Sequence, residues 1–118
     1  MDNIKESLQK SDDILGTLGI ALVDYGSGMT LGMHGSGINL EVAAAGNMEV
    51  MRAKRRVMHD LKISGGIEDI LITLDSQFHI LRPVGESNFL YLALDRKRAN
   101  LALARHKLAA IASELKLS

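Results

Sequence analysis

The chain has 118 residues, 47% of them apolar and 3% aromatic, enough for one domain (1–118) whose core is Leu, Ile, Val, Ala and Met, and too well supplied with apolar residues to be disordered. Its 14 basic residues balance 14 acidic ones and its aromatics number only two Tyr and two Phe, so there is neither a net field to draw in nucleic acid or an anionic membrane nor a platform for stacking single-stranded bases. Cysteine is absent, which removes disulfides, thiolate metal sites and cysteine nucleophiles; the polar stretch Met1-Asp2-Asn3-Ile4-Lys5-Glu6 has no apolar leader core, no apolar run reaches the roughly 18 residues of a membrane span, and a cytoplasmic protein without membrane insertion is expected.

Residues 2–15 read as an amphipathic helix with Ile4, Leu8 and Leu15, supported by Ile14, near a 3.6 period, and Gly16 placed where a helix stops. Leu18 to Asp24 is a buried strand. Asp24-Tyr25-Gly26-Ser27-Gly28 turns, and Met29 to His34 alternates with period two, completing a hairpin. After Gly35-Ser36-Gly37, with Ser36 or Asn39 available as a cap, residues 38–62 form the longest helical pattern, ended by Ser64-Gly65-Gly66.

Ile67 to Asp75 is rich in β-branched residues and leucine, so a strand buried on both faces is expected. Phe78 to Val84 returns, with Pro83 suited to a strand end or an edge, and Phe89 to Leu94 is a third buried strand. Asp95 is placed to cap a last helix, whose Leu101, Ala104, Leu108, Ile111 and Leu115 step by three and four. The predicted fold is α/β (α+β), α-β-β-α-β-β-β-α: a five-stranded antiparallel sheet with helices on both faces.

The middle helix carries two apolar lines when rotated 100° per residue. Leu40, Ala44, Met51 and Met58 form one. Ala43, Gly46, Val50, Ala53, Val57 and Leu61 form a second about a quarter-turn away. One wide arc lying over the sheet accounts for this pattern; so does a sheet-facing line beside a second line that meets the same helix of another copy about a twofold axis. Gly46 bears on the choice, because a mid-helix glycine costs about 0.5–1 kcal/mol relative to alanine and close helix packing offsets that. Ala43, Gly46, Val50, Ala53 and Val57 are therefore the candidate dimer residues.

Little else in the sequence carries chemistry. Gly26, Gly28 and Gly32 fail G-x-G-x-x-G because position 31 is leucine, no G-x-x-x-x-G-K-[ST] occurs, and these glycines belong to a hairpin. His34, His59, His79 and His106 are scattered without metal-ligand spacing. Gly26-Ser27-Gly28 is no nucleophile elbow, and the adjacent pairs Asp12-Asp13 and Glu68-Asp69 point apart. No catalytic residue, cofactor or metal is expected. Arg52, Arg55 and Arg56 form either a solvated helix face or a partner contact, and Met48, on the polar side of the same helix, is expected to be exposed.

Glu41-Val42-Ala43-Ala44-Ala45-Gly46-Asn47-Met48-Glu49-Val50 resembles the central-helix signature of the Roadblock (dynein light chain) family. Ile67 to Leu74, Phe78 to Pro83, and Phe89 to Arg96 running into Ala99–Arg105 resemble its later strands and last helix. The match spans residues 4–115, is closest in flavour to stand-alone bacterial members, and implies a Roadblock/profilin-like fold. The resemblance further implies a homodimer whose sheets join, with the two middle helices side by side. It also implies association with a small Ras-like GTPase, as in bacterial gliding-motility regulators, or with larger machines. It brings no catalytic motif, since the family's bacterial activators act by repositioning the GTPase's own residues.

Three functions follow as expectations: a non-enzymatic dimeric regulator or adaptor of a small Ras-like GTPase; a structural scaffold in a signalling or cytoskeletal complex; and, least supported because the strands offer few polar groups to orient a ligand, a small-ligand sensor.

Overall fold

The computed structural model describes residues 2–117. Its elements are α1 (Ile4–Gln9) continued by a 3-10 turn (Lys10–Asp13), β1 (Thr17–Asp24), β2 (Thr30–His34), α2 (Leu40–Asp60), β3 (Ile70–Thr73), β4 (Gln77–Val84), β5 (Asn88–Asp95) and α3 (Leu101–Glu114). The strands make one sheet in the order β2-β1-β5-β4-β3, with every neighbouring pair antiparallel. Helices lie on both faces, as the apolar patterning predicts.

The alternation of β5 sorts the core into two layers. Phe89, Tyr91 and Ala93 join Ala21, Val23 and Leu81 beneath Leu40, Ala44 and Met51 of α2. Leu90, Leu92 and Leu94 join Ile20, Leu22 and Ile80 beneath Leu8 of α1 and Ala104, Leu108 and Ile111 of α3. The predicted α3 stripe is therefore the buried one.

The first helix is shorter than the predicted span 2–15. Tightening to 3-10 geometry at Lys10–Asp13 shifts the helical phase, so that Ile14 is buried and Leu15 is 60% exposed. The inner face is completed by Ser7 and Ser11, whose small side chains an apolar pattern does not reveal. Gly16 does end this segment: its φ is +87°, and an added Cβ would sit 3.1 Å from Ala99 N and Asp95 O.

Asn39 caps α2, accepting from the backbone N–H of Val42 at 3.1 Å. The helix ends before the glycines expected to stop it. Lys62 takes a left-handed φ of 58°, its N–H donates to the carbonyl of His59, and that of Ile63 donates to Met58, which is a Schellman closure with lysine where glycine is usual. Asp95 does not cap α3; its side chain accepts from Lys97 N–H while Asn100 accepts from Leu103 N–H at 3.1 Å. Five residues of turn separate Asp95 from the helix, so the nearer asparagine does the capping.

The span 67–75 departs most from expectation. It is not buried on both faces: only Ile70–Thr73 forms a strand, at the sheet edge, with alternate residues half-buried and exposed. Among the described residues no strand pairs beyond β3, so its apolar residues are only partly covered. Pro83 lies in β4 opposite Phe89, past Leu81, where the pairing with β3 stops, so no strand on that side lacks an N–H.

Candidate interaction surface

The two apolar lines of α2 have different surroundings. Leu40, Ala44 and Met51 are buried against the sheet and Met58 is half-buried. On the second line Ala43 and Ala53 are half-buried, Gly46 is exposed, and Val50, Val57 and Leu61 are 37%, 43% and 63% exposed. Apart from its chain neighbours and the backbone of its own helix turns, nothing among the described residues lies within 4 Å of a Cβ built at Gly46, so packing against another element does not explain the glycine. Val42, 68% exposed, lies just before Ala43 and widens the start of the line; the sequence reading left it out.

The sheet beside that line is also only partly covered. The backbone of α2 approaches β1 and β2, the far side of the sheet from β3. Register places Ile70 opposite Leu81 and Ile72 opposite His79, with His79 opposite Ala93 and Leu81 opposite Tyr91. Since Leu81, Tyr91 and Ala93 belong to the α2 face, Ile70, Ile72 and His79 share it. All three are half-buried. An apolar stripe on a helix thus adjoins an apolar sheet surface that runs to an open edge.

His79 and Tyr91 are the polar groups of this surface. The rings meet edge-on with centroids 5.2 Å apart, the Tyr91 hydroxyl lies 3.2 Å from His79 Nδ1, and Nε2 lies 2.7 Å from Gln77 Oε1. Burial lowers the pKa of His79 from its usual 6.5 and pushes that of Tyr91 up to about 12, so both are neutral at pH 7. The sequence reading missed this pair, although alternation along β4 and β5 brings the two residues to one face once the strand pairing is fixed.

The basic side of α2 is only partly solvated. Arg52 donates to the carbonyl of Gly26 at 3.0 Å, and the guanidinium carbons of Arg52 and Arg55 stand 5.9 Å and 4.3 Å from the centre of the Tyr25 ring, within cation–π range. Arg56 is exposed. Met48, expected to be exposed, is half-buried and packs on the core; its sulfur is 3.1 Å from where a Cβ of Gly28 would be. The β1–β2 turn, folded back onto α2, covers what a helical wheel shows as solvent. Beside Arg55, an open depression of about 490 Å³ is lined by Met58, His59, Ile63, Ile67, Pro83 and Glu86 among others. Among the described residues, no three His, Asp or Glu side chains converge as metal ligands, and no helix is long and apolar enough to cross a membrane.

A central helix on one face of a five-stranded antiparallel sheet in the order 2-1-5-4-3, with the terminal helices on the other, is an arrangement found in solved structures. A Roadblock/LC7 domain from Streptomyces avermitilis superposes with a TM-score of 0.76 at 16% identity, covering 92% of this chain and 87% of that one. The fold is that of Roadblock/LC7 domains. Myxococcus xanthus MglB gives a TM-score of 0.77 at 14% identity, covering 94% of this chain and 80% of MglB. The gliding protein MglB of Thermus thermophilus gives 0.72 at 20% identity over 92% and 87% of the two chains. No protein-family model matches the sequence, and no curated protein matches it either. Identity this low fixes the Roadblock fold and leaves function to the surface.

Proposed function

We propose that the chain is a cytoplasmic, non-enzymatic homodimer that regulates or adapts a small Ras-like GTPase. The observation that carries the dimer is the exposed line Val42–Gly46–Val50–Val57, with half-buried Ala53 within it, beside the partly covered sheet at Ile70, Ile72 and His79. A second copy related by a twofold axis would set α2 against α2 and extend the sheet through β3, making both surfaces interior at once. The GTPase follows from the Roadblock resemblance and is supported by the likeness of this fold to a gliding protein, MglB. Met48, Arg52, Arg55 and Arg56 are the proposed partner residues, with Arg52 and Arg55 held in place by Tyr25 and Gly26 rather than free. Any stimulation of hydrolysis would act through the GTPase's own residues, as the Roadblock resemblance implies.

Two measurements test this reading. Light scattering at micromolar concentration should give twice the chain mass, and a stable monomer would remove the dimer. A purified Ras-like GTPase from the same organism, loaded in turn with GDP and a GTP analogue, should bind in one nucleotide state more tightly. Equal binding in both states points instead to a scaffold role.

A further inference from the structure

The opposite edge of the sheet is open as well. β2 pairs only with β1, and its outer backbone has no partner strand. Natural edge strands are commonly blunted by lysine, proline, an inward charge or a bulge; Thr30-Leu31-Gly32-Met33-His34 has no lysine, proline or carboxylate, and its one irregularity is confined to Leu31. Its titratable side chain, His34, is turned to Asp12, with Nε2 at 2.8 Å. Met29, Leu31 and Met33 are 68%, 47% and 44% exposed. Pairing is irregular only beyond Gly32, where the register slips, so the free edge is regular from Gly32 to His34.

Depressions flank this edge above and below. On the α2 side, about 410 Å³ opens between Met33, Ile38 and Glu41, and about 220 Å³ between Met29, Thr30 and Glu41. On the α1 side, about 320 Å³ opens between Ile4, Lys5, Leu31 and Gly32. An unpaired strand supplies main-chain hydrogen bonds, and hollows on both its faces receive alternate side chains; together these are the means by which a sheet takes up an extended segment. Glu41 lines both hollows of the α2 side, and among the described residues no salt bridge engages it.

We propose that the β2 edge binds an extended, largely apolar segment of a partner protein as an added strand, with a lysine or arginine of that segment set against Glu41. A second copy fits less well. Twofold pairing about Gly32 would bring two Glu41 carboxylates together on one face, and opposed like charges disfavour strand pairing. The proposal stands whether or not the β3 edge pairs with itself.

The test uses the full chain as bait for a phage library of random decapeptides, followed by the best sequence as a synthetic peptide. Enriched sequences should alternate apolar residues and carry an internal Lys or Arg, and peptide binding should slow amide exchange at residues 31–34. The double variant Leu31→Lys/Met33→Lys, at exposed positions whose substitution leaves the fold intact by circular dichroism, should weaken the peptide about tenfold or more. Glu41→Lys should turn the selected sequences from basic to acidic. The proposal is overturned by a library without enrichment, by peptide binding that the double variant does not change, or by self-association of the chain that this variant abolishes.

Discussion

Two helices, α1 and α3, lie side by side on one face of the sheet, while α2 lies alone on the other. The pair is joined by a hydrogen bond from Asn3 Nδ2 to the Glu114 carbonyl and by the Lys10–Glu114 ion pair. Five strands at about 4.8 Å spacing span roughly 20 Å, which matches two helices of about 10 Å diameter and not one. The α1/α3 face is thus covered by its own chain as far as β4, with Leu71 of β3 38% exposed beyond it, and the α2 face has room for one more helix above β4 and β3. A fold can be complete by topology and incomplete by area, and the shortfall falls where α2 carries its second apolar line.

This contrast can be broken, most forcefully on the two-helix face. Leu108→Ala there should cost about 2–5 kcal/mol by cavity formation, read by urea denaturation, with the same loss at every protein concentration. On the other face Val57→Lys should raise the dimer dissociation constant about a hundredfold, or about 2.7 kcal/mol, in sedimentation equilibrium, while the monomer keeps its circular dichroism spectrum.

Gly46→Ala sharpens the comparison because its sign decides. In a lone helix it should stabilise by about 0.5–1 kcal/mol; against a closely packed twin it should weaken association, and a variant that dimerises as well as the parent would leave the glycine without its explanation. Lys62→Gly, at a left-handed position outside both surfaces, should raise stability by about 1 kcal/mol in thermal melts and leave the dimer unchanged.

The smallest expected effect concerns pH. The pKa of His79 is lowered by burial, so the unfolded chain binds its proton more readily than the folded one. The stability this group contributes is full above about pH 6.5 and lost as pH falls through the folded value. Denaturation midpoints should decline on acidification, and His79→Gln should flatten that decline.

Most of the architecture was readable from spacing. The α3 stripe follows from a period of 3.6 and β2 from a period of two, while β1, β4 and β5 stand out as short apolar runs between turn residues. What escaped depended on neighbours distant in sequence. Ile70–Thr73 looks interior because its residues are apolar, and composition does not say whether a covering layer comes from the same chain. Met48 looks solvent-facing on a helical wheel until the β1–β2 turn folds over it, and Arg52 and Arg55 gain their partner Tyr25 by the same folding. The α2 stripe was legible apart from Val42, because an isolated wheel shows apolar excess however the helix is later packed.

The contact between Arg105 and Asp69 ties these halves together. Nε and Nη2 of Arg105 donate to the two carboxylate oxygens at 2.8 Å and 3.0 Å, and the Asp69 side chain is only 9% exposed. A forked grip of this kind fixes direction as well as distance, and it fastens the residue before β3 to a helix on the opposite side of the sheet. Displacing α3 would therefore drag the start of β3 with it. The molecule is thereby cross-braced between its two-helix back and its open border.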